Sequence, residues 1–499
     1  MKTYSEYMDE ISADELYEAL LGYGFFAEHI PPFLTSTPFY YYCLQTAPQF
    51  SNKARQYVYY ENIRNINIPR HLGIPTPMNY QKLCMCLKQN WSAIQDHFRN
   101  KTTNQIHKVS RIHIRKLQGK KHFFEMNYSN WKQDPSPDED MIIDKYCVVY
   151  ADISNCFPSI YTHSIPWALV GKDTAKTQRD RACWFNQIDY LTQNMKHGET
   201  HGLLIGPHVS NLLSEIILTA VDFKLVDKDW EYVRNIDDYT CYVRSEHEAR
   251  QFLVDLQKKL REFDLTLNHR KTIIERLPLA STKSWVRKIN SVTIITSYGK
   301  VNYKNCRAYL DFAIEIAQEE DSNSAVLKYA IKVLHGLDLT ENAKRYMQQT
   351  VFHLCLIYPY LTPLLEDYIF SFCGTRTSEI QALSNKLYNL GMEDRRFEAS
   401  SYALYFALKY GFKLDCVDVH RIIESKDCIQ MLLGFLYFSS VGDNTSIKEL
   451  KDHAWQLAQD DDDFNMNWLF TYEVLSAADL KDEWKAMKRA GVSFIKDSL

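Results

Sequence analysis

What most narrows the fold of this chain is a pair of acid-tipped apolar segments. The run Tyr146-Cys147-Val148-Val149-Tyr150 is short and apolar, and Asp152 follows it closely. Such a run reads as a buried strand. Further along, Tyr232-Val233-Arg234-Asn235-Ile236-Asp237-Asp238-Tyr239 sets two adjacent acids between two apolar runs. That pattern predicts a strand–turn–strand with carboxylates at its tip. If the strands are neighbours, Asp152 and Asp237 meet at one end of a sheet.

The surrounding pattern supplies the cover for that sheet. Leu213, Ile216, Ile217 and Ala220 repeat at helical spacing and predict a helix over 210–226. A helix over 246–263 and a strand at Leu265-Thr266-Leu267-Asn268 follow. The order strand, helix, hairpin, helix, strand predicts an α+β layer up to about residue 290. Upstream, residues 1–60 read as short amphipathic helices, and Leu83, Cys86, Leu87 and Trp91 predict a helix over 79–99. Downstream of about residue 305, amphipathic helices succeed one another, and Thr362-Pro363 reads as a helix N-cap with proline at the first position. Three units are expected: an N-terminal helical segment (1–64), a sheet-bearing unit (65–290) and an all-helical unit (291–499) of HEAT-like helix pairs. A length of 499 residues suits this division.

Composition excludes several classes. No apolar run is long enough for a membrane span, and the N-terminus lacks an apolar signal core, so no membrane association and a cytoplasmic location are expected. The 12 cysteines lack Cys-x-x-Cys spacing and read as reduced, buried thiols. A net charge of −4 argues against a broad nucleic-acid surface. One local exception is the segment 101–121, with Lys101, Lys108, Arg111, Arg115, Lys116, Lys120 and Lys121 and no acid. It is either a solvated basic face or a surface that meets triphosphate or nucleic-acid backbone. Residues 129–142 read as an exposed acidic loop, and Asp460 to Asp463 as a solvated turn capping the next helix.

Carboxylates at a strand end and a hairpin tip suit Mg²⁺, which takes hard oxygen ligands and keeps substrate phosphates in its shell. Phosphoryl transfer to a hydroxyl uses two such ions. Asp152, Asp237 and the carbonyl of Ile153 are the expected ligands of two Mg²⁺ (or Mn²⁺), with Asp238 beside them. A third element strengthens the pattern. The run His201-Gly202-Leu203-Leu204-Ile205-Gly206-Pro207-His208 is a glycine–proline turn leading into a helix. Glycine there lets backbone approach a nucleotide closely.

This ordered set resembles the palm of reverse transcriptases. Asp152 matches the first catalytic acid, Gly202 to Ser210 the substrate-flanking motif, and Asp237-Asp238 the paired acids. Leu267-Asn268-His269-Arg270-Lys271-Thr272 resembles the motif whose lysine protonates the leaving pyrophosphate, and Arg70-His71-Leu72-Gly73-Ile74-Pro75 resembles a fingers segment. The resemblance implies fingers and palm over 65–290, with the N-terminal segment packed on the fingers. It implies Phe157 as an aromatic gate under the sugar, favouring dNTP over NTP. It also implies His201 and Gly202 beside the nucleotide, Lys271 at the pyrophosphate, and Arg111 or Arg115 on the triphosphate. Two positions depart from the family: Asn235 stands where a tyrosine is usual, and His201 where a glutamine is common.

The segment His353 to Leu365 within the helical half is similar to the abortive-infection (Abi) reverse transcriptases of phage defence, and most like the prophage-borne type. That likeness implies homo-oligomers and DNA synthesis from dNTPs without a template, started from a protein hydroxyl, so that DNA stays covalently attached. The alternatives are a template-directed RNA-dependent DNA polymerase and a non-catalytic palm scaffold with a helical interaction domain.

Overall fold

The computed structural model describes residues 2–63, 69–124, 137–226, 228–280, 282–292, 299–320, 323–497 and 499. Two antiparallel sheets organise the first half. β1 (Val58–Ile63) pairs with β2 (Pro69–Ile74) in a register running from Val58↔Ile74 to Ile63↔Pro69. The main sheet holds β3 (Cys147–Asp152), β4 (Tyr232–Asn235), β5 (Asp238–Val243) and β6 (Ile273–Arg276) in the order β4-β5-β3-β6. All its pairings are antiparallel. β3 is buried along nearly its whole length, as its continuous apolar run requires, whereas β5 alternates buried and open positions.

The expected helix over 210–226 spans His208–Val226, and helix Glu246–Arg261 packs on β3 and β5. Helix His208–Val226 contacts both Glu246–Arg261 and Trp91–Thr102. The N-terminal helices Tyr4–Asp9 and Ala13–Tyr17 pack on helices Trp91–Thr102 and Pro77–Gln89 respectively.

Four expectations give way to different structure. The helix read over 79–99 is two helices, Pro77–Gln89 and Trp91–Thr102, parted at Asn90. The Asn90 amide side chain bonds the Cys86 carbonyl at 2.8 Å and so caps the first helix. Val58–Ile63, expected within a helical segment, is a strand, because Val58, Tyr60 and Asn62 alternate inward. Leu265 to Asn268 forms only a single bridge, Leu267 to Ile153, and the strand on that edge is β6. Thr362 lies inside a 3₁₀ turn, Pro359–Leu364, instead of capping a helix. The expected acidic loop falls largely outside the described residues, and its remainder includes the short helix Asp138–Met141.

The second half is helical from Tyr303–Glu319 to Asp482–Arg489. Helices Thr377–Glu393 and Phe397–Tyr410 pack so closely that a Cβ on Gly391 would stand 2.6 Å from the Ser400 amide nitrogen. Asp460 caps Asp461–Met466, as its sequence predicts. This half closes back on the first. Leu34 bridges Ile495, and the Phe494 ring stacks among Phe25, Phe39 and Trp468. Glu398 bonds the end of β1, accepting from Asn62 Nδ2 at 2.6 Å and the Ile63 amide at 2.7 Å. All 12 cysteines are free and most are buried. Among the described residues no helix is long and apolar enough to cross a membrane.

Candidate active site

The acid cluster forms where β3 ends. Because β3 and β5 are antiparallel and in register, Asp152 stands directly opposite Asp238. The turn between β4 and β5 places Asp237 next to them, and the Ile153 amide donates to the Asp237 carbonyl at 3.2 Å. That turn needs a left-handed residue, supplied by Ile236 at φ 61°. The Ile153 carbonyl accepts no described backbone bond and remains available as a ligand.

Asp152 is buried, Asp237 half-buried and Asp238 open at its outer face. Burial first, and then the charges of Asp237 and Asp152, push the Asp238 carboxyl up to about 6. Burial, with the Asp152 charge adding to it, also raises Asp237, while Lys271 and Arg70 pull it down. The site therefore holds negative charge that repels itself. A divalent cation relieves that repulsion.

Lys271 supplies the nearest positive charge. Its Nζ donates to Asp152 Oδ2 at 2.8 Å, and this bond holds the ammonium above its ordinary range. The lysine is presented by a tight turn. The Asn268 amide donates to the Asp152 carbonyl at 2.7 Å, and the amides of Lys271 and Thr272 fold back on the Asn268 carbonyl.

The residues expected beside a nucleotide follow the end of β3, and Phe157 among them is buried in the core. Phe157 lies in the short helix Cys156–Ser159, entered through the left-handed Asn155. Its carbonyl accepts from the Leu203 amide at 2.8 Å, and the Gly202 amide reaches the Ile160 carbonyl at 2.8 Å. Gly202 is required: at φ +84°, a Cβ would come 3.0 Å from the Pro158 carbonyl. His201 is exposed and faces the Tyr161 ring at 5.1 Å. On the other side, the Gly73 amide of β2 bonds the Ile205 carbonyl at 2.9 Å, which joins the β1–β2 hairpin to this segment.

Asp152, Asp237, Asp238 and Lys271 thus interact with one another, while Phe157 and Gly202 are tied together by the backbone bonds above. Arg111 is buried with its backbone paired to Arg234 at the outer edge of β4, and the Arg115 amide bonds the Phe123 carbonyl. Arg70 of β2 is an arginine whose charge reaches Asp237. Only its place in a fingers-like segment could have marked it.

Chemically, the donor set suits a hard divalent cation: carboxylates at close quarters, a spare carbonyl and a negative field. As the side chains stand, no group of three or more His, Cys, Asp or Glu among the described residues converges to hold a metal ion. Lys271 occupies the Asp152 carboxylate. A cation taking Asp152 Oδ2 as a ligand would displace this ammonium, which its two-thirds exposed side chain allows.

No protein-family model matches the chain, and no curated protein does. Solved telomerase structures are similar to it at low identity. The apo telomerase from Candida tropicalis matches with a TM-score of 0.33 and 9% identity, over 73% of this chain and 72% of that one. A form of it truncated from the C-terminal domain matches with a TM-score of 0.30 and 11% identity, over 48% of this chain and 55% of that one. Telomerase from Candida albicans in complex with a fragment of telomeric RNA matches with a TM-score of 0.30 and 12% identity, over 80% and 64%. The chain thus spans about half of the first of these, the truncated form.

Proposed function

We propose that this chain is a nucleotidyltransferase of polymerase type that joins deoxynucleotides through the site at the end of β3. The observation that carries the reading is the register of β3 and β5. It sets Asp152 against Asp238, with Asp237 adjacent and Lys271 on the same carboxylate.

In this reading Asp152, Asp237 and the Ile153 carbonyl would hold two divalent ions, Mg²⁺ or Mn²⁺. Such ions, when bound, activate the attacking hydroxyl and neutralise the departing pyrophosphate. The protein's own groups do the rest. Lys271 leaves Asp152, turns to the triphosphate and gives its proton to the leaving pyrophosphate. Arg70, already felt at Asp237, balances the triphosphate charge from β2. Phe157 blocks a ribose 2′-hydroxyl and tolerates deoxyribose. Gly202 lets backbone approach the nucleotide. Asp238, with its carboxyl near 6, keeps the field negative above that pH.

The finer reading rests on the sequence likeness to abortive-infection reverse transcriptases. We infer untemplated synthesis in phage defence, begun from a hydroxyl of the protein itself, with DNA left covalently attached and the chain assembled as a homo-oligomer.

The test is direct. Purified protein with labelled dNTPs and Mg²⁺ or Mn²⁺ should gain label that migrates with the polypeptide and is released by nuclease. Asp237→Ala should lose this activity by at least about a thousandfold, since one carboxylate of a two-metal site is gone. Normal incorporation by that variant refutes the site assignment. Product complementary to a supplied RNA refutes the untemplated reading alone. No incorporation with either metal favours the scaffold reading.

A further inference from the structure

A fully buried arginine lies directly beneath the paired acids, and its environment gives it a specific task. Arg234 interrupts the apolar run of β4 and is 0% exposed. Its guanidinium is held on two sides by carboxylates of helix His208–Val226. Nε donates to Asp222 Oδ2 at 2.8 Å, and Nη1 donates to Glu215 Oε2 at 3.0 Å. Both acids are themselves buried. An ion triad of this kind adds little net stability, because desolvation offsets attraction. What it does provide is direction, since the planar fork of an arginine pinned at two edges has a fixed third. That third edge points at the turn: Nη1 also donates to the Ile236 carbonyl at 2.8 Å.

Ile236 is where help is needed. A β-branched residue at φ 61° is a strained conformation. Its carbonyl belongs to the peptide unit that leads into Asp237. The following peptide unit is tied from the other side, by the Ile153 amide on the Asp237 carbonyl at 3.2 Å. The backbone on both sides of Asp237 is therefore fixed, once by β3 and once by Arg234.

The network continues to the start of the chain. Tyr4, 2% exposed in helix Tyr4–Asp9, donates its hydroxyl to Glu215 Oε1 at 2.9 Å. Residues 109–111 clasp the same arginine through its backbone: the Arg234 amide bonds the Val109 carbonyl, and the Arg111 amide bonds the Arg234 carbonyl, each at 2.8 Å.

We propose that Tyr4, Glu215 and Arg234 form a positioning relay, through which the docked N-terminal helix fixes the turn that carries Asp237 and Asp238. The effect on the turn stands independently of the polymerase reading; the effect on nucleotide incorporation rests on it.

Two variants of the full chain test this. Arg234→Lys keeps the buried charge but cannot serve both acids and the carbonyl from one planar fork. Tyr4→Phe removes only the hydroxyl. Hydrogen exchange of the 232–243 segment should quicken about 10- to 150-fold at the turn in Arg234→Lys, the range for losing one charge-assisted bond. Tyr4→Phe should quicken it by less, about 2- to 10-fold. Helix Phe397–Tyr410 should exchange as in wild type. Incorporation by Arg234→Lys should show kcat reduced by a similar factor, with the dNTP KM within about twofold of wild type. Unchanged turn exchange overturns the proposal. Exchange raised equally across the sheet and helices overturns it too, since that marks a merely structural role. A loosened turn with unchanged kcat likewise refutes the link to the acids. A loosened turn in a protein whose wild type incorporates nothing upholds the relay and refutes the polymerase reading.

Discussion

Glu398 should make the clasp between the helical half and β1 pH-sensitive. The carboxyl is 2% exposed and accepts from Asn62 Nδ2 and the Ile63 amide. Burial drives it up to about 8, against the two donors, which favour the anion. In the unfolded chain a glutamate titrates near 4.3. Between those values the native state binds a proton that the unfolded state lacks, so stability falls as pH rises. The contribution is fully present below about pH 4.3 and is lost by about pH 8, on the order of 4–5 kcal/mol at most. Glu398→Gln removes the titration. Its amide can accept from one donor but turns an N–H toward the other, at a cost of about 1–3 kcal/mol. The variant should be the less stable at pH 4 and the more stable at pH 9, with the curves crossing between about pH 5 and pH 6.5. Hydrogen exchange along Val58–Ile63, corrected for intrinsic rate, reads this local stability without assuming that the whole chain unfolds at once. Wild-type protection that stays level from pH 5 to 9, or a variant curve parallel to wild type, would refute the reasoning.

Three further outcomes follow from the site. Phe157→Val should admit ribonucleotides, raising relative use of NTP over dNTP by at least about tenfold, read by competition between labelled substrates. Gly202→Ala should destabilise by about 1–2 kcal/mol in denaturant titration, because alanine pays for the left-handed backbone and its Cβ meets the Pro158 carbonyl. Asp237→Ala, besides ending incorporation, should raise the thermal midpoint by about 1–3 °C, since it removes a buried carboxylate repelled by Asp152.

What could be read from the sequence was whatever local periodicity and an acid at a strand end encode. β3, the β4–β5 hairpin and helix His208–Val226 all carry their own signals within a short window. The three acids then meet because antiparallel pairing admits few registers that bury the apolar faces of β3 and β5. Arg234 had no such signal. It looked like an interruption in an apolar run, and its partners Glu215 and Asp222 lie on a separate helix. The division at Asn90 was hidden because Leu87 and Trp91 keep helical spacing across the break. Glu398 contributes to the closure of the helical half on β1, and no pattern around that residue announces Asn62 as its partner.

The basic segment shows how distant pairing changes the meaning of a charge run. Several of its lysines engage other parts of the same chain, two of them in surface ion pairs. Lys116 pairs with Glu15 at 2.6 Å and Lys121 with Glu18 at 2.8 Å, while Lys108 lies over the Tyr7 ring at 4.6 Å. Lys101 covers Phe223 at 4.3 Å. The run thus staples the N-terminal helices and helix His208–Val226 to the sheet, and through residues 109–111 it supports the strand leading to the paired acids. Arg70 and Lys271 are cations whose charge reaches Asp237. A site with two such cations should bind single-stranded DNA with a shallow salt dependence, losing less than about tenfold between roughly 50 and 200 mM salt, where a surface making 6–10 phosphate contacts loses about 10³–10⁵. Fluorescence anisotropy of a labelled oligonucleotide across that range decides between them. A thousandfold loss would mean that the basic segment opens to meet nucleic-acid backbone, and its surface ion pairs would then be the closed half of an exchange between protein and ligand.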